Sequence, residues 1–215
     1  MTLVIGFQSY GGRSANPPEA VVTALDGMTI EGARVCGQTL PVDFHAVRRQ
    51  LPDLIDDIAP RVIVSLGLWP GEPMVRIERV AANWSLFELP DNAGHRQNGT
   101  VIDGGPDAYL SSLPGDAIQS AIRAAGVPCR QSGSAGTYLC NAALYIALHH
   151  CTQHHPETIA GFMHLPYLPE QVAETLIQAE QDSSLEMHQR ADLASMSLDA
   201  MTRAVTIGIE TTLKT

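Results

Sequence analysis

The sequence predicts an α/β fold, in which a mostly parallel, twisted sheet is flanked by helices on both faces. Short apolar runs alternate with helical patterns along most of the 215 residues, as expected when each strand is followed by a helix. The run Arg61–Leu66 is almost continuously apolar, which is typical of a strand that is covered on both faces. No repeat or linker interrupts the alternation, and the length suits one folding unit, so we expect a single domain over residues 1–215.

Strands are predicted where short apolar runs lead into glycine, proline or polar turns. In chain order they are 3–7, two strands within 29–41, 61–66, 77–82, 127–131 and 158–164. Helices are predicted from apolar residues at helical spacing, with proline near a start and glycine after an end. They are 19–25, 42–58, 116–125, 138–150, 169–178 and most of 184–213. Pro52 is expected to bend or interrupt the second helix, and the polar, glycine-rich stretch 91–107 is predicted to be a loop.

The predicted topology also indicates where a ligand would bind. In open parallel sheets, ligands lie at the carboxyl ends of the strands. Three glycine-rich loops come at the ends of predicted strands: those near Gly6 and Gly67 and the one that leads to Cys140. His164 is the last residue of another predicted strand. We therefore expect them to meet at one edge of the sheet.

Composition excludes several functional classes. The net charge of −10 argues against nucleic-acid binding, which needs a basic surface. It also argues against binding to the surface of anionic membranes. No apolar run approaches the roughly 20 residues needed to span a bilayer. The first residues lack the basic start and long apolar centre of a signal peptide, so we expect a cytoplasmic protein. The four cysteines have no close pairing, which favours free thiols over disulfides or a cysteine zinc site.

The stretch S-G-S-A-G-T-Y-L-C-N, residues 132–141, points to chemistry. Its glycines permit a tight turn into a helix whose first turn contains Cys140. Unpaired N–H groups and the helix dipole favour an anion there. They are expected to lower the pKa of a thiol and to stabilise an oxyanion beside it. The alternative is that Cys140 is a small buried residue of the core.

Three further stretches occur in order around this one. They are G-F-Q-S-Y-G-G at 6–12 with Asn16-Pro17, V-R-I-E-R-V-A-A-N at 75–83, and G-F-M-H-L-P-Y-L-P-E-Q at 161–171. Together with the cysteine stretch, they resemble the pyroglutamyl-peptidase I family (pyrrolidone-carboxylate peptidases). Members are cysteine peptidases that remove an N-terminal pyroglutamyl residue from peptides. The resemblance runs from about residue 3 to 171 and continues more weakly to the end.

The resemblance implies a catalytic triad of Cys140 as nucleophile, His164 as base and Glu78 as its partner. Such a triad forms a thioester acyl-enzyme and needs no metal or organic cofactor. The alternatives are a core histidine for His164 and a carboxylate paired with Arg76 or Arg79 for Glu78.

A pocket for the flat lactam ring needs apolar faces and a few hydrogen bonds. The resemblance implies that it is lined by these residues: Phe7, Tyr10, Asn16, Leu89, Tyr138 and Leu139. Tyr10 stands where the family usually has phenylalanine. The implied partner is a peptide with N-terminal pyroglutamate, and the implied assembly is a homo-oligomer, by family resemblance a tetramer.

Three positions depart from the family pattern. Glu72 and Glu88 stand where members generally have arginine, and Leu68 stands where bacterial members often have glutamine. A carboxylate near the site would oppose a developing oxyanion and raise the thiol pKa. The alternatives for the two charge reversals are a rewired salt bridge and a different preference on the leaving side of the substrate. These departures keep two other functions open. One is a cysteine amidase or peptidase for another cyclic or blocked N-terminal acyl group, and the other is a non-catalytic binding protein on the same scaffold.

The segment His149–His155 is rich in histidine. Its spacing permits two or three metal ligands but matches no established metal motif. We expect a solvated helix C-terminus, where protonated histidines suit the helix dipole.

Overall fold

The computed structural model describes residues 1–12, 15–181 and 194–215. The strands in this part of the chain are β1 (Thr2–Phe7), β2 (Thr29–Ile30), β3 (Ala33–Leu40), β4 (Val62–Leu68), β5 (Val75–Glu78), β6 (Val80–Ala82), β7 (Ser85–Leu86), β8 (Asn98–Gly99), β9 (Ala108–Leu110), β10 (Cys129–Ser132) and β11 (Ile159–Leu165). The helices are α1 (Pro17–Leu25), α2 (Phe44–Ile58), α3 (Gly115–Ala124), α4 (Leu139–His154), α5 (Pro169–Gln181) and α6 (Leu198–Leu213).

The main sheet has the strand order β10-β5-β11-β4-β1-β3-β2 within the described residues. Strands β3, β1, β4 and β11 are parallel neighbours. At one side β5 is antiparallel to β11 and parallel to β10, and at the other β2 is antiparallel to β3. The predicted α/β fold with a mostly parallel sheet is confirmed.

Helices cover both faces because consecutive strand residues point to opposite sides. Leu3 and Ile5 pack in a cluster with α2 and α4. Val4, between them, packs in a second cluster with α1, α3 and α6. The central strands are buried along their whole length, which explains why their sequences are nearly continuous apolar runs.

Several predicted elements differ from the observed ones. The predicted strand 77–82 is broken at Arg79 into β5 and β6. Helix α2 continues past Pro52 without ending there. The predicted loop 91–107 contains β8, which pairs with β7. In the predicted helix 184–213, residues 182–193 lie outside the described part, and α6 begins after Ser197, whose hydroxyl caps it by accepting from the backbone N–H of Ala200.

The route of the chain to Cys140 also differs from the prediction. Strand β10 runs opposite to β11, and its last residue, Ser132, is aligned with Glu78 and through it with Phe162 in the middle of β11. The loop to Cys140 therefore does not start at the carboxyl edge of the parallel strands. Residues 133–138 carry the chain back toward Gly67 at that edge.

Among the described residues, no helix is both long and apolar enough to cross a membrane.

Candidate active site

Cys140 is the second residue of α4, directly after the turn made by the small residues before it. Tyr138 at the N-cap provides no side-chain hydrogen bond to the helix start, so the first N–H groups keep their capacity to bind an anion. The sulfur packs against Gly67, where a Cβ atom would lie 2.7 Å from Cys140 Sγ. Glycine at position 67 thus leaves the space that the sulfur occupies.

The ionisation of this thiol differs from the sequence-based expectation. Burial raises the pKa of the Cys140 thiol to about 12, the charge of Glu78 adds to the shift, and a hydrogen bond from the residue's own backbone N–H opposes it. The prediction of a lowered thiol pKa is therefore wrong, because desolvation outweighs the helix N-terminus. The sulfur carries its proton at neutral pH.

His164 and Glu78 form a buried pair. His164 Nδ1 lies 2.8 Å from Glu78 Oε1, and the two side chains are 1% and 0% exposed. An ionised carboxylate can only accept, so Nδ1 carries the hydrogen and Nε2 keeps its lone pair. Burial lowers the pKa of His164 although the hydrogen bond to Glu78 opposes this shift. The imidazole is thus neutral and able to accept a proton.

The sheet register explains how these residues meet. Glu78 is aligned with Phe162 across the β5–β11 pair, two residues from His164 and on the same face. His164 is aligned with Gly67 of β4, and Gly67 in turn contacts Cys140. Cys140 and His164 both line an open cavity of about 470 Å³. The three residues proposed as a triad are therefore brought together from β5, α4 and β11.

Arg76 is a site residue that the sequence did not indicate beyond its being a possible partner of Glu78. Its Nε lies 3.0 Å from Glu78 Oε1, and its Nη1 lies 3.6 Å from Glu72 Oε2. The guanidinium also donates to the hydroxyl of Ser132 and to the carbonyl of Ser134. The buried carboxylate of Glu78 is thus matched by a buried positive charge.

Glu72, one of the departures from the family pattern, belongs to the same network. Its carboxylate is 5% exposed and accepts from Arg130 Nη2 at 2.6 Å. With Arg76 on its other side, Glu72 is paired with two guanidinium groups. Of the alternatives for this position, a rewired salt bridge is the one that the contacts support, since a paired carboxylate opposes an oxyanion less than a free one.

Trp69 was missed by the sequence interpretation. Its ring contacts the His164 ring edge-on, with 5.0 Å between centroids, and the guanidinium carbon of Arg76 lies 3.7 Å from its centroid. Trp69 therefore lines the cavity beside His164 and holds Arg76 in a cation–π contact. Its place directly after a buried strand at the carboxyl edge was the available signal.

A small inner pocket adjoins the sulfur. Its lining is mainly apolar and consists of Phe7, Tyr10, Asn16, Val42, Gly67, Leu68, Tyr138, Leu139 and Cys140. Five of the six residues named from the resemblance are among them, while Val42 and Leu68 were not named. Leu68, at the position where glutamine is often found, makes this wall apolar. The tyrosine rings at 10 and 138 lie 6.1 Å apart.

Asn16 is the most polar residue of the inner pocket. Its Nδ2 donates to the carbonyls of Phe7 and Gln8, at 2.7 and 3.0 Å. Its Oδ1 is buried and has no partner among the described residues. A residue of the pocket lining therefore carries a buried acceptor whose hydrogen-bonding capacity is unused.

Leu89, the sixth residue, is 66% exposed and lines the outer cavity instead of the inner pocket. Glu88 lines the same outer cavity, and its carbonyl accepts from the guanidinium of Arg96. Glu88, the second position where a carboxylate replaces an arginine, thus lies on the exposed rim of the outer cavity, and the guanidinium of Arg96 lies beside it.

The chain is similar to known proteins over its whole length. The sequence profile of the pyroglutamyl peptidase family matches residues 1–215. The pyrrolidone-carboxylate peptidase of Pyrococcus furiosus is 35% identical over 210 residues, which cover 97% of each chain. Pyrrolidone-carboxylate peptidase 2 of Photorhabdus laumondii is 35% identical over 213 residues, covering 99% of this chain and 91% of that one.

Solved structures agree. Pyrrolidone carboxyl peptidase from the hyperthermophile Pyrococcus furiosus superposes with a TM-score of 0.91 at 34% identity, covering 99% of this chain and 98% of that one. The resemblance noted in the sequence is therefore confirmed over the whole length, and the chain belongs to the pyroglutamyl peptidase family.

Proposed function

We propose that this protein is a cysteine peptidase that removes an N-terminal pyroglutamyl (5-oxoprolyl) residue from peptides. The observation that carries the proposal is the buried His164–Glu78 pair, which shares one cavity with Cys140 in a chain of this family. A nucleophile, a neutral base and a group that orients the base are the parts that thioester catalysis requires.

The first half of the reaction is a proton transfer coupled to attack. As the sulfur of Cys140 bonds to the pyroglutamyl carbonyl carbon, its proton passes to Nε2 of His164. The carbonyl π electrons move to oxygen, and the N–H groups at the start of α4 stabilise that oxyanion. The oxyanion then collapses, the C–N bond breaks, and His164 returns its proton to the leaving amine.

The second half repeats the pattern with water. His164 takes a proton from water, whose oxygen attacks the thioester carbonyl. Collapse of the second oxyanion breaks the C–S bond, releases pyroglutamic acid and returns the proton to the sulfur. Because the free thiol is protonated and the imidazole neutral, His164 acts as a general base in both halves.

Glu78 and Arg76 support the base in this scheme. Glu78 fixes the tautomer of His164 and stabilises the imidazolium that forms transiently. Arg76 acts through Glu78 and is a positioning residue: it offsets the cost of a carboxylate that is 0% exposed.

The lining of the inner pocket supports recognition of a lactam, and its side chains must move apart to admit the ring, since the pocket is only about 20 Å³ in volume. Phe7, Tyr138 and Leu139 offer apolar faces to a flat ring. We assign the unused Oδ1 of Asn16 to the ring N–H, which donates to it. A free ammonium group would find no carboxylate among the residues that line this pocket, which supports a blocked, uncharged N-terminus as substrate.

We further propose that the protein works in the cytoplasm as a homo-oligomer. All four cysteines are free, which suits a reducing compartment. Light scattering coupled to gel filtration measures the assembly, and a monomer at micromolar concentration would contradict the oligomer.

The test of the function is a panel of aminomethylcoumarin amides under reducing conditions. It compares pyroglutamyl, prolyl, N-acetylated and free α-aminoacyl groups. We expect pyroglutamyl turnover far above the others and none with Cys140→Ser. Preference for another acyl group would favour the amidase alternative, and binding without turnover would favour the binding protein.

A further inference from the structure

The histidine-rich end of α4 meets a carboxylate from another helix. His150 Nε2 and His155 Nε2 each lie 2.7 Å from the same oxygen, Asp56 Oδ1. The three candidate ligand atoms all lie within 4.8 Å of one another. Asp56 belongs to the last turn of α2, about 95 positions earlier in the chain, so no sequence spacing could reveal the cluster.

We propose that Asp56, His150 and His155 form a binding site for a transition-metal dication, with Zn²⁺ as the representative ion. Two imidazoles and one carboxylate are a ligand set found in protein zinc sites, where water completes a tetrahedron. Imidazole nitrogen favours Zn²⁺, Cu²⁺ or Ni²⁺ over Mg²⁺ and Ca²⁺, which prefer sets made of oxygen.

The geometry needs only a small adjustment to hold an ion. With Zn–N and Zn–O bonds of about 2.0–2.2 Å, ligand atoms around a tetrahedral ion are separated by roughly 3.3 Å. The two 2.7 Å separations would each open by about half an ångström, which a modest side-chain rotation supplies. Asp56 is 53% exposed, so solvent has access and the remaining coordination position can be taken by water.

The backbones that carry the ligands are fixed. Leu51 and Ile55 of α2 are buried in one cluster with Leu148 and Cys151 of α4. The backbone N–H of His155 donates to the carbonyl of Cys151 at 2.8 Å. A bound ion would therefore join the C-terminal ends of two packed helices and stabilise the folded state over the unfolded one.

This site is separate from the candidate active site. His150 is ten residues after Cys140 on α4, which places it about 15 Å farther along the helix axis. His154 provides a matched control, because its ring packs against that of His150, with 4.7 Å between centroids, yet it is not one of the three ligands.

The experiment is a titration of metal-free protein with Zn²⁺ by isothermal calorimetry. Cys140→Ser is used as the parent, because Cys140 and His164 line one cavity and sulfur and imidazole nitrogen are both zinc ligands. His155→Gln, Asp56→Asn and His154→Gln are made in this parent, and circular dichroism checks that each is folded. Thermal melting with and without Zn²⁺ gives a second readout.

We expect one Zn²⁺ per chain in the parent and a rise in its melting temperature. His155→Gln and Asp56→Asn should each weaken binding at least about tenfold, since even the loss of an outer-shell partner costs that much, whereas His154→Gln should bind as the parent does. The proposal is overturned if the parent does not bind Zn²⁺, if Asp56→Asn or His155→Gln binds as tightly as the parent, or if His154→Gln weakens binding equally.

Discussion

The guanidinium of Arg76 lies 3.0 Å from Oε1 of Glu78, the same oxygen that accepts from His164. The orienting carboxylate of the proposed triad is therefore held between an imidazole and a permanent positive charge. Arg76 is itself held by Glu72, so Glu72, which departs from the family pattern, is connected to His164 through two side chains, Arg76 and Glu78.

Replacement of Arg76 by methionine tests this connection. Breaking a buried pair leaves an uncompensated charge and costs about 3–5 kcal/mol, so the free energy of unfolding should fall accordingly. Because Arg76 lowers the pKa of His164, the acid limb of kcat/KM should also move to higher pH. Arg130→Met is the control, since Arg130 is half exposed, contacts Glu72, and should shift the limb less. If the acid limb of kcat/KM does not move in Arg76→Met, the positive charge of Arg76 contributes to stability alone.

Restoring the family-like arginine at position 72 should harm this protein. Glu72→Arg would place a third guanidinium beside Arg76 and Arg130 in a site that is 5% exposed, and we expect a loss of about 3 kcal/mol of unfolding free energy. Glu88→Arg, on the exposed rim, should change stability by less than about 0.5 kcal/mol. Urea denaturation measures both. Equal stability of Glu72→Arg and the parent would mean that the salt-bridge network is not needed.

The acid limb of the wild-type profile follows from the state of His164. Burial lowers its pKa from the ordinary value of 6.5, and only the neutral form accepts a proton. Activity should therefore persist as the pH falls to 6.5 and should be lost below it. The measurement is kcat/KM from pH 4 to 9, since this ratio reports the free enzyme. A midpoint above 6.5 would contradict a neutral resting imidazole.

Gly67 should be intolerant of even one methyl group. A Cβ atom there would lie 2.7 Å from Cys140 Sγ and 2.8 Å from the Phe162 ring, so Gly67→Ala must displace the sulfur. We expect kcat/KM to fall by about 100-fold. Gly133→Ala is the matched control, because a Cβ atom at position 133 meets nothing within 4 Å. Full activity of folded Gly67→Ala would show that the sulfur position is not critical.

The assignment of Asn16 to the ring N–H is tested with a carbocyclic substrate in which CH₂ replaces that N–H. Leaving a buried acceptor unpaired costs about 1–3 kcal/mol, so the wild type should prefer the pyroglutamyl amide about tenfold or more. In Asn16→Ala this preference should disappear, whatever the loss in overall rate. A preference that survives in Asn16→Ala would assign the contact to another group.

The predictability of the fold and of the site differed for physical reasons. The fold class was predictable because apolar runs such as Arg61–Leu66 alternate with helical segments. A strand that is buried on both faces has a continuous apolar sequence, which can be recognised locally. The reversal of β5 and β10 was not predictable, since strand direction depends on pairing partners far away in sequence. The break at Arg79 had no local signal either.

The residues of the site that lie within recognisable sequence motifs were predictable. The stretches that contain Glu78, Cys140 and His164 were recognisable, and the structure brings these residues together. The role of Glu72 depended on Arg76 and Arg130. The state of the thiol depended on its burial against the core cluster that contains Phe162. Ion pairs and desolvation of this kind are formed by the fold and leave no pattern in the sequence.

The most direct test of the central claim is to trap the acyl-enzyme. The enzyme is mixed with pyroglutamyl aminomethylcoumarin, quenched in acid within the first turnover, and digested for mass spectrometry. We predict a pyroglutamyl group on the peptide that contains Cys140 and no such group in Cys140→Ser. Turnover that continues in Cys140→Ser, or a pyroglutamyl group found on another residue, would contradict the account.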